Sequence, residues 1–164
     1  MARILILAGG CRGRRLAAQL VGEGHAVRVS TRTEAARAAI EETGAECWVG
    51  TPDRLATLRG ALDGVALACW LLGSCAGTEQ QLLALHTTRL QLFLTQAIDT
   101  TMRGFLYEAR GTSTPPAALA QGERVVREIA SRNAIPTATL DADPREAQAW
   151  LEQARERVAA LIGA

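Results

Sequence analysis

The first residues whose spacing carries a chemistry are Ala8-Gly9-Gly10-Cys11-Arg12-Gly13. They repeat G-x-G-x-x-G with alanine in the first place. Such a loop needs a tight turn, then a position without a side chain where a pyrophosphate approaches, then a close strand–helix contact. Gly10 and Gly13 answer the second and third needs, and Gly9 or Ala8 the first. The loop follows the apolar run Arg3 to Ala8 and opens a helical spacing of Leu16, Ala17, Leu20 and Val21. In that setting the pattern predicts dinucleotide binding by Gly9, Gly10, Cys11, Arg12 and Gly13.

An acid about 20 residues after the glycines would hold the ribose hydroxyls of NAD. Here the stretch reads Ser30-Thr31-Arg32-Thr33, and Glu34 comes later, in the next helix. Arg32 suits the 2′-phosphate of NADP, with Ser30 or Thr31 donating hydrogen bonds. Arg12 is the second candidate, so NADP is expected over NAD. Arg12, Arg14 and Arg15 crowd the start of the first helix. A cation there costs about 0.3–1 kcal/mol against the helix dipole, which a bound anion would offset. The alternative is that Arg14 and Arg15 extend into solvent.

Past the fourth strand, Leu72-Gly73-Ser74-Cys75-Ala76-Gly77-Thr78 is small enough for a nicotinamide ribose to approach the backbone, which makes Leu72 and Gly73 cofactor candidates. The fifth strand leads into Tyr107-Glu108-Ala109-Arg110-Gly111-Thr112-Ser113-Thr114. Glu108 and Arg110 are expected to face one cleft or to pair. Asp99 and Arg103 have the spacing of a helix ion pair. His86 falls mid-helix as a surface or packing residue. No nucleophile–base–orienter set is visible, and catalytic residues stay unassigned.

Composition narrows the chemistry. All 18 basic residues are arginine, which excludes any mechanism that needs a lysine amine. The 17 acids leave a net charge of +1, so neither nucleic acid nor an acidic membrane is an expected partner. The apolar runs are far short of a bilayer span, and Arg3 with five apolar residues is no signal peptide. A cytoplasmic location is expected. Cys11, Cys47, Cys69 and Cys75 form no C-x-x-C, and His25 and His86 are isolated, so no metal site is expected.

These residues must be positioned by alternating elements. Strands are predicted at 3–8, 25–30, 46–50, 65–72, 104–108 and 135–140. Helices are predicted at 13–21, at 33–42 with Thr33 as N-cap, from Thr51 or Asp53 to Leu62, at 77–102, at 116–133 and at 144–162. Strand–helix alternation of this kind predicts an α/β, Rossmann-type, doubly wound parallel sheet of about six strands. The order is 3-2-1-4-5-6, in one three-layer α/β/α domain spanning residues 1–164.

Ile4-Leu-Ile-Leu-Ala-Gly-Gly-Cys-Arg-Gly-Arg-Arg-Leu-Ala17, Gly24-His25-Ala-Val and Thr31-Arg32 resemble the start of an atypical or extended short-chain dehydrogenase/reductase. Gly50-Thr51 resembles that family's Gly-Asp after strand three, with threonine for aspartate, and Leu58-Arg-Gly-Ala-Leu-Asp-Gly-Val65 its approach to strand four. The resemblance covers residues 3–73 well. It implies a Ser or Thr after strand five that polarises a carbonyl, a place for Thr112, Ser113 or Thr114. The family's Tyr-x-x-x-Lys pair is absent: Tyr107, the only tyrosine, lies in a strand, and Gly111 stands four residues on. Its substrate-binding extension after the sixth strand has no counterpart. The resemblance therefore carries over the cofactor fold and not the reaction.

Two function classes follow. One is a small NADPH-linked oxidoreductase acting on an unidentified small molecule. The other is a non-catalytic dinucleotide-binding sensor or partner subunit. The 78–102 segment is apolar around much of its circumference, with Leu82, Leu85 and Phe93 assigned to the sheet and Leu83, Leu90 and Leu94 to a second surface. With Leu119, Val125 or Val126, and Ile129 of the 116–133 helix, that surface predicts a homodimer, the pairing the resemblance also implies.

Overall fold

The computed structural model describes residues 1–164. Six strands, β1 (Arg3–Leu7), β2 (Ala26–Thr31), β3 (Glu46–Val49), β4 (Leu67–Trp70), β5 (Gly104–Glu108) and β6 (Thr137–Leu140), form one sheet. Its order is β3-β2-β1-β4-β5-β6, and every pairing is parallel. The helices are α1 (Cys11–Gly22), α2 (Arg37–Glu41), α3 (Glu79–His86), α4 (Thr88–Ala97), α5 (Pro116–Arg132) and α6 (Ala147–Ile162). The doubly wound order predicted from the alternation is the order observed.

Strand alternation divides the core between the two faces of the sheet. Ile4 and Ile6 pack with Leu16, Leu20, Val29, Ile40 and Trp150. Leu5 and Leu7 pack with Trp70, Phe93, Phe105 and Tyr107 on the other side. No helix is long and apolar enough to cross a membrane.

Four expected helices take a different form. The 77–102 helix is two, broken at Thr87, whose backbone leaves the helical region at φ −124°, ψ −87°. The Thr87 hydroxyl donates to the Leu83 carbonyl at 2.7 Å and that of Thr88 to Ala84 at 3.3 Å, bonds that bend a helix. The break turns Leu90 and Leu94 into the core, so they are not the second surface expected of them. Only Leu83 (41% exposed) and Leu92 (50%) remain outward on these helices. α4 also ends before Asp99, so the Asp99–Arg103 helix pair is not made.

Between β3 and β4 the expected helix is replaced by two 3-10 turns, Leu55–Leu58 and Gly60–Leu62. Buried Arg28 anchors the end of this segment. Its guanidinium donates to the Ala61 carbonyl at 2.6 Å and to Glu46 at 2.9 Å, and lies 5.2 Å from the centre of the Trp48 ring. It satisfies carbonyls at the end of the segment, which an α-helix closing at Leu62 would also have left without an internal donor. The 33–42 segment is a 3-10 turn followed by the five-residue α2. Thr33 makes no side-chain cap there; Arg37 instead bridges Glu34 at 2.6 Å and Glu41 at 3.2 Å. The last helix starts at Ala147, because Asp143 ties the preceding turn through the Arg145 backbone N–H at 2.9 Å.

Candidate functional site

A cavity of about 340 Å³ lies at the carboxyl ends of β1, β2 and β4, a size usual for small-molecule sites. Gly9, Gly10, Cys11, Arg12 and Gly13 all line it. Each glycine meets a different demand. A Cβ on Gly9 would lie 3.1 Å from the Thr31 side chain, at the end of β2. A Cβ on Gly13 would overlap the Ala8 carbonyl, so α1 packs on β1 only without one. Gly10 has nothing within 4 Å of its Cβ position. It is the extended residue before α1, and no side chain caps the helix there. The first N–H groups of a helix have no internal acceptor, so bare donors at the positive end of a dipole open on this space. Such an arrangement can accept a phosphate.

The arginines around the loop divide by role. Arg14 does not extend into solvent; it donates to the Gly9 carbonyl at 2.8 Å and braces the turn. Arg15 is exposed. Arg12 lies across the Trp150 ring, 5.9 Å from its centre, and reaches the Pro144 carbonyl at 3.5 Å. Arg32 lines the cavity from the β2 end with Ser30 and Thr31, its side chain 57% exposed. It is not free: its Nη2 is 3.3 Å from Asp53 Oδ2.

The wall beyond β4 holds Leu72, Ser74 and Cys75, with Trp150 behind Arg12. Burial raises the Cys75 thiol's pKa, with nearby Arg32 opposing. Gly73, expected to meet the cofactor, is turned the other way. Its N–H donates to Glu108 Oε1 at 2.8 Å, and its carbonyl accepts from the Thr114 N–H at 3.3 Å. A Cβ on Gly111 would overlap the Gly73 carbonyl. The Thr112 N–H donates to Ser74 Oγ at 3.0 Å. The loop after β5 is thus closed onto the exit of β4.

Three buried polar residues were not assigned these partners by sequence. Glu108 does not pair with Arg110, which bridges Asp143 at 3.1 Å. Glu108 accepts instead from Trp150 Nε1 at 2.7 Å and from Gly73. Burial raises its pKa, while these two donors and Arg12 lower it. His86 and Tyr107 form the second unit. His86 Nε2 lies 3.2 Å from the Leu72 carbonyl, which can only accept, so that nitrogen carries the proton. Nδ1 then accepts from the Tyr107 hydroxyl at 2.8 Å. Desolvation takes His86 down to about 4 and pushes the Tyr107 phenol well above its usual value. Gly122 on α5 makes room, since a Cβ there would overlap the Tyr107 hydroxyl. The partners lie 14 to 42 residues apart, beyond any local pattern.

No family model matches the chain, and no curated protein matches it. Solved structures do. A short-chain dehydrogenase/reductase superfamily protein from Agrobacterium tumefaciens with bound NAD is 20% identical, with a TM-score of 0.68 over 84% of this chain and 48% of its own. UDP-glucuronic acid 4-epimerase from Bacillus cereus, in complex with NAD, is 13% identical, with a TM-score of 0.66 over 84% and 55%. Vestitone reductase from alfalfa is 13% identical, with a TM-score of 0.62 over 85% and 56%. The chain spans about half the length of these structures. Its fold is the doubly wound Rossmann-type fold that these structures share, as the glycine loop and element order led one to expect.

Proposed function

We propose that this chain binds a nicotinamide dinucleotide along the carboxyl edge of β2, β1 and β4, NADPH in preference to NADH. The observation that carries the proposal is the uncapped start of α1, with clear space over Gly10 and with Arg12 and Arg32 bordering the same cavity. The pyrophosphate belongs over Gly10 to Gly13, and the 2′-phosphate at Arg32 beside Thr31. The NAD bound by the structurally similar proteins supports the same class of ligand. Calorimetric titration with both dinucleotides tests it. NADPH should bind more tightly, and Arg32→Ala should cost about 1.5–3 kcal/mol of that affinity through a lost charge-assisted bond. Equal affinities would discard the role of Arg32, and no binding of either would discard the proposal.

Of the two function classes, the geometry favours binding without turnover. The side chains on the cavity are guanidinium, hydroxyl, thiol, indole and aliphatic. Such a set holds phosphates and riboses. The one phenol of the chain is held in the core by His86. NADPH absorbance should therefore stay constant when small aldehydes and ketones are added to the complex. Steady consumption would restore the reductase reading. On α5, Leu119 and Val126 are buried within the chain, so the homodimer reading rests on Leu83 and Leu92 with half-buried Val125 and Ile129. Light scattering at micromolar concentration should give twice the 17.4 kDa chain mass. The four unpaired thiols support a reducing, cytoplasmic setting.

A further inference from the structure

Resting on the dinucleotide reading, we infer that Asp53 is a specificity-determining residue: its carboxylate holds Arg32 in the place of a 2′-phosphate and thereby sets the margin between NADPH and NADH. The Arg32–Asp53 contact of 3.3 Å joins the end of β2 to the crossover after β3. Arg32 borders the large cavity, while Asp53 borders a smaller one with Arg32, Gln81 and Leu85. Ala76, on the loop after β4, borders that smaller cavity too, so the pair faces the far side of the cleft. Thr51 fixes the carboxylate. Its hydroxyl lies 3.4 Å from Asp53 Oδ2 and accepts the Asp53 N–H at 3.3 Å. Thr51 and Pro52 themselves line the large cavity. The acid of this site therefore comes from the β3 crossover and not from the end of β2.

The consequence is a competition. The side chains of Arg32 and Asp53 are 57% and 49% exposed, so the pair is weak and opens readily. A phosphate dianion carries more charge than a carboxylate and takes the guanidinium. Asp53 is then left beside the phosphate as a like charge. An NADH ribose sets up neither exchange. Removing the carboxylate should therefore strengthen NADPH binding alone.

The test is calorimetry of wild type, Asp53→Asn, Arg32→Ala and the double variant, each with NADPH and NADH. Asparagine keeps a side-chain oxygen for the Thr51 turn and removes only the charge. In Asp53→Asn, NADPH should bind about tenfold more tightly, the combined worth of one exposed ion pair and one like charge nearby. NADH should stay within about twofold, and the NADPH gain should shrink in added salt. In the Arg32→Ala background the gain should fall by more than half, since the competition runs through Arg32. Equal changes for both dinucleotides, or no change for NADPH, would overturn the inference and leave the binding site standing. Wild type that binds neither dinucleotide would remove the underlying reading instead. Both residues are exposed, so these variants should fold, which thermal melts will check.

Discussion

The carboxyl edge of the sheet is open around β1 and β2 and closed between β4 and β5. Both halves depend on glycine, for opposite reasons. At Gly10 a missing side chain leaves a helix start facing empty space. At Gly73 and Gly111 missing side chains let two loops meet backbone to backbone. The closed half is then fastened by Glu108, Ser74 and the Gly73 carbonyl. A glycine after a strand is therefore evidence of close approach, but what approaches depends on where the neighbouring chain goes. Gly73 read as a cofactor contact in sequence, and its neighbour proves to be protein.

The sharpest test of this contrast is Gly111→Ala. The new Cβ would meet the Gly73 carbonyl. Gly73 cannot yield easily, because its N–H is held by Glu108 and its carbonyl accepts from Thr114. Overpacking against a fixed backbone should cost about 3 kcal/mol in urea denaturation. A stability within error of wild type would show that this loop lifts freely, and the halves would not differ as described.

Acid should loosen the closed half next. His86 is neutral and holds the Leu72 carbonyl from behind the cavity wall. Its pKa is about 4 in the fold, against 6.5 for an ordinary histidine. The unfolded chain therefore binds the extra proton between these values. The stability due to the neutral ring is complete above pH 6.5 and is lost progressively as pH falls toward 4. The loss between pH 7 and pH 5 should be about 2 kcal/mol, read from denaturation midpoints at each pH. A flat profile, or one unchanged in His86→Gln, would rule out this source.

Trp150→Phe addresses the clasp between the halves. Phenylalanine keeps an aromatic ring there but removes part of the buried indole, and Glu108 Oε2 loses its donor at 2.7 Å. A buried acceptor left without its partner should cost about 1.5 kcal/mol. Burial already raises the Glu108 pKa, so its ionised form is a burden on the fold that grows as pH rises. The deficit of the variant should accordingly be larger at pH 8 than at pH 5. An equal deficit at both would mean that only indole packing was lost.

The sequence made the open half legible because its signals are local. Glycine spacing, strand alternation and a polar strand end lie within the first 32 residues. Six strand–helix alternations were enough for the strand order. The closed half was not legible, because its bonds join residues remote in sequence: Trp150 to Glu108, Tyr107 to His86, Thr114 to Gly73. Leu90 and Leu94 were misassigned for a related reason. A continuous helix turns them outward, and one residue of non-helical backbone at Thr87 turns them in. The Asp53 carboxylate escaped notice because the rule for ribose recognition looks along β2 and not across to the β3 crossover.

The smallest effect on stability belongs to the open half. Gly10 has φ −77° and ψ −178°, an extended conformation open to any residue, so alanine brings no backbone strain. Its Cβ would enter space with no atom within 4 Å. Alanine gains a little by restricting the unfolded chain and loses a little as a poorer residue before a helix. The two should nearly cancel, leaving Gly10→Ala within about 0.5 kcal/mol of wild type. The same methyl group stands where a pyrophosphate must approach the start of α1, and NADPH affinity should fall at least about tenfold, the worth of one displaced charge-assisted bond. Measuring denaturation and NADPH titration on one preparation separates the two readouts. A loss of stability like that of Gly111→Ala would show that the space over Gly10 is already filled by protein. Unaltered stability with unaltered NADPH binding would move the phosphate site away from the glycine loop.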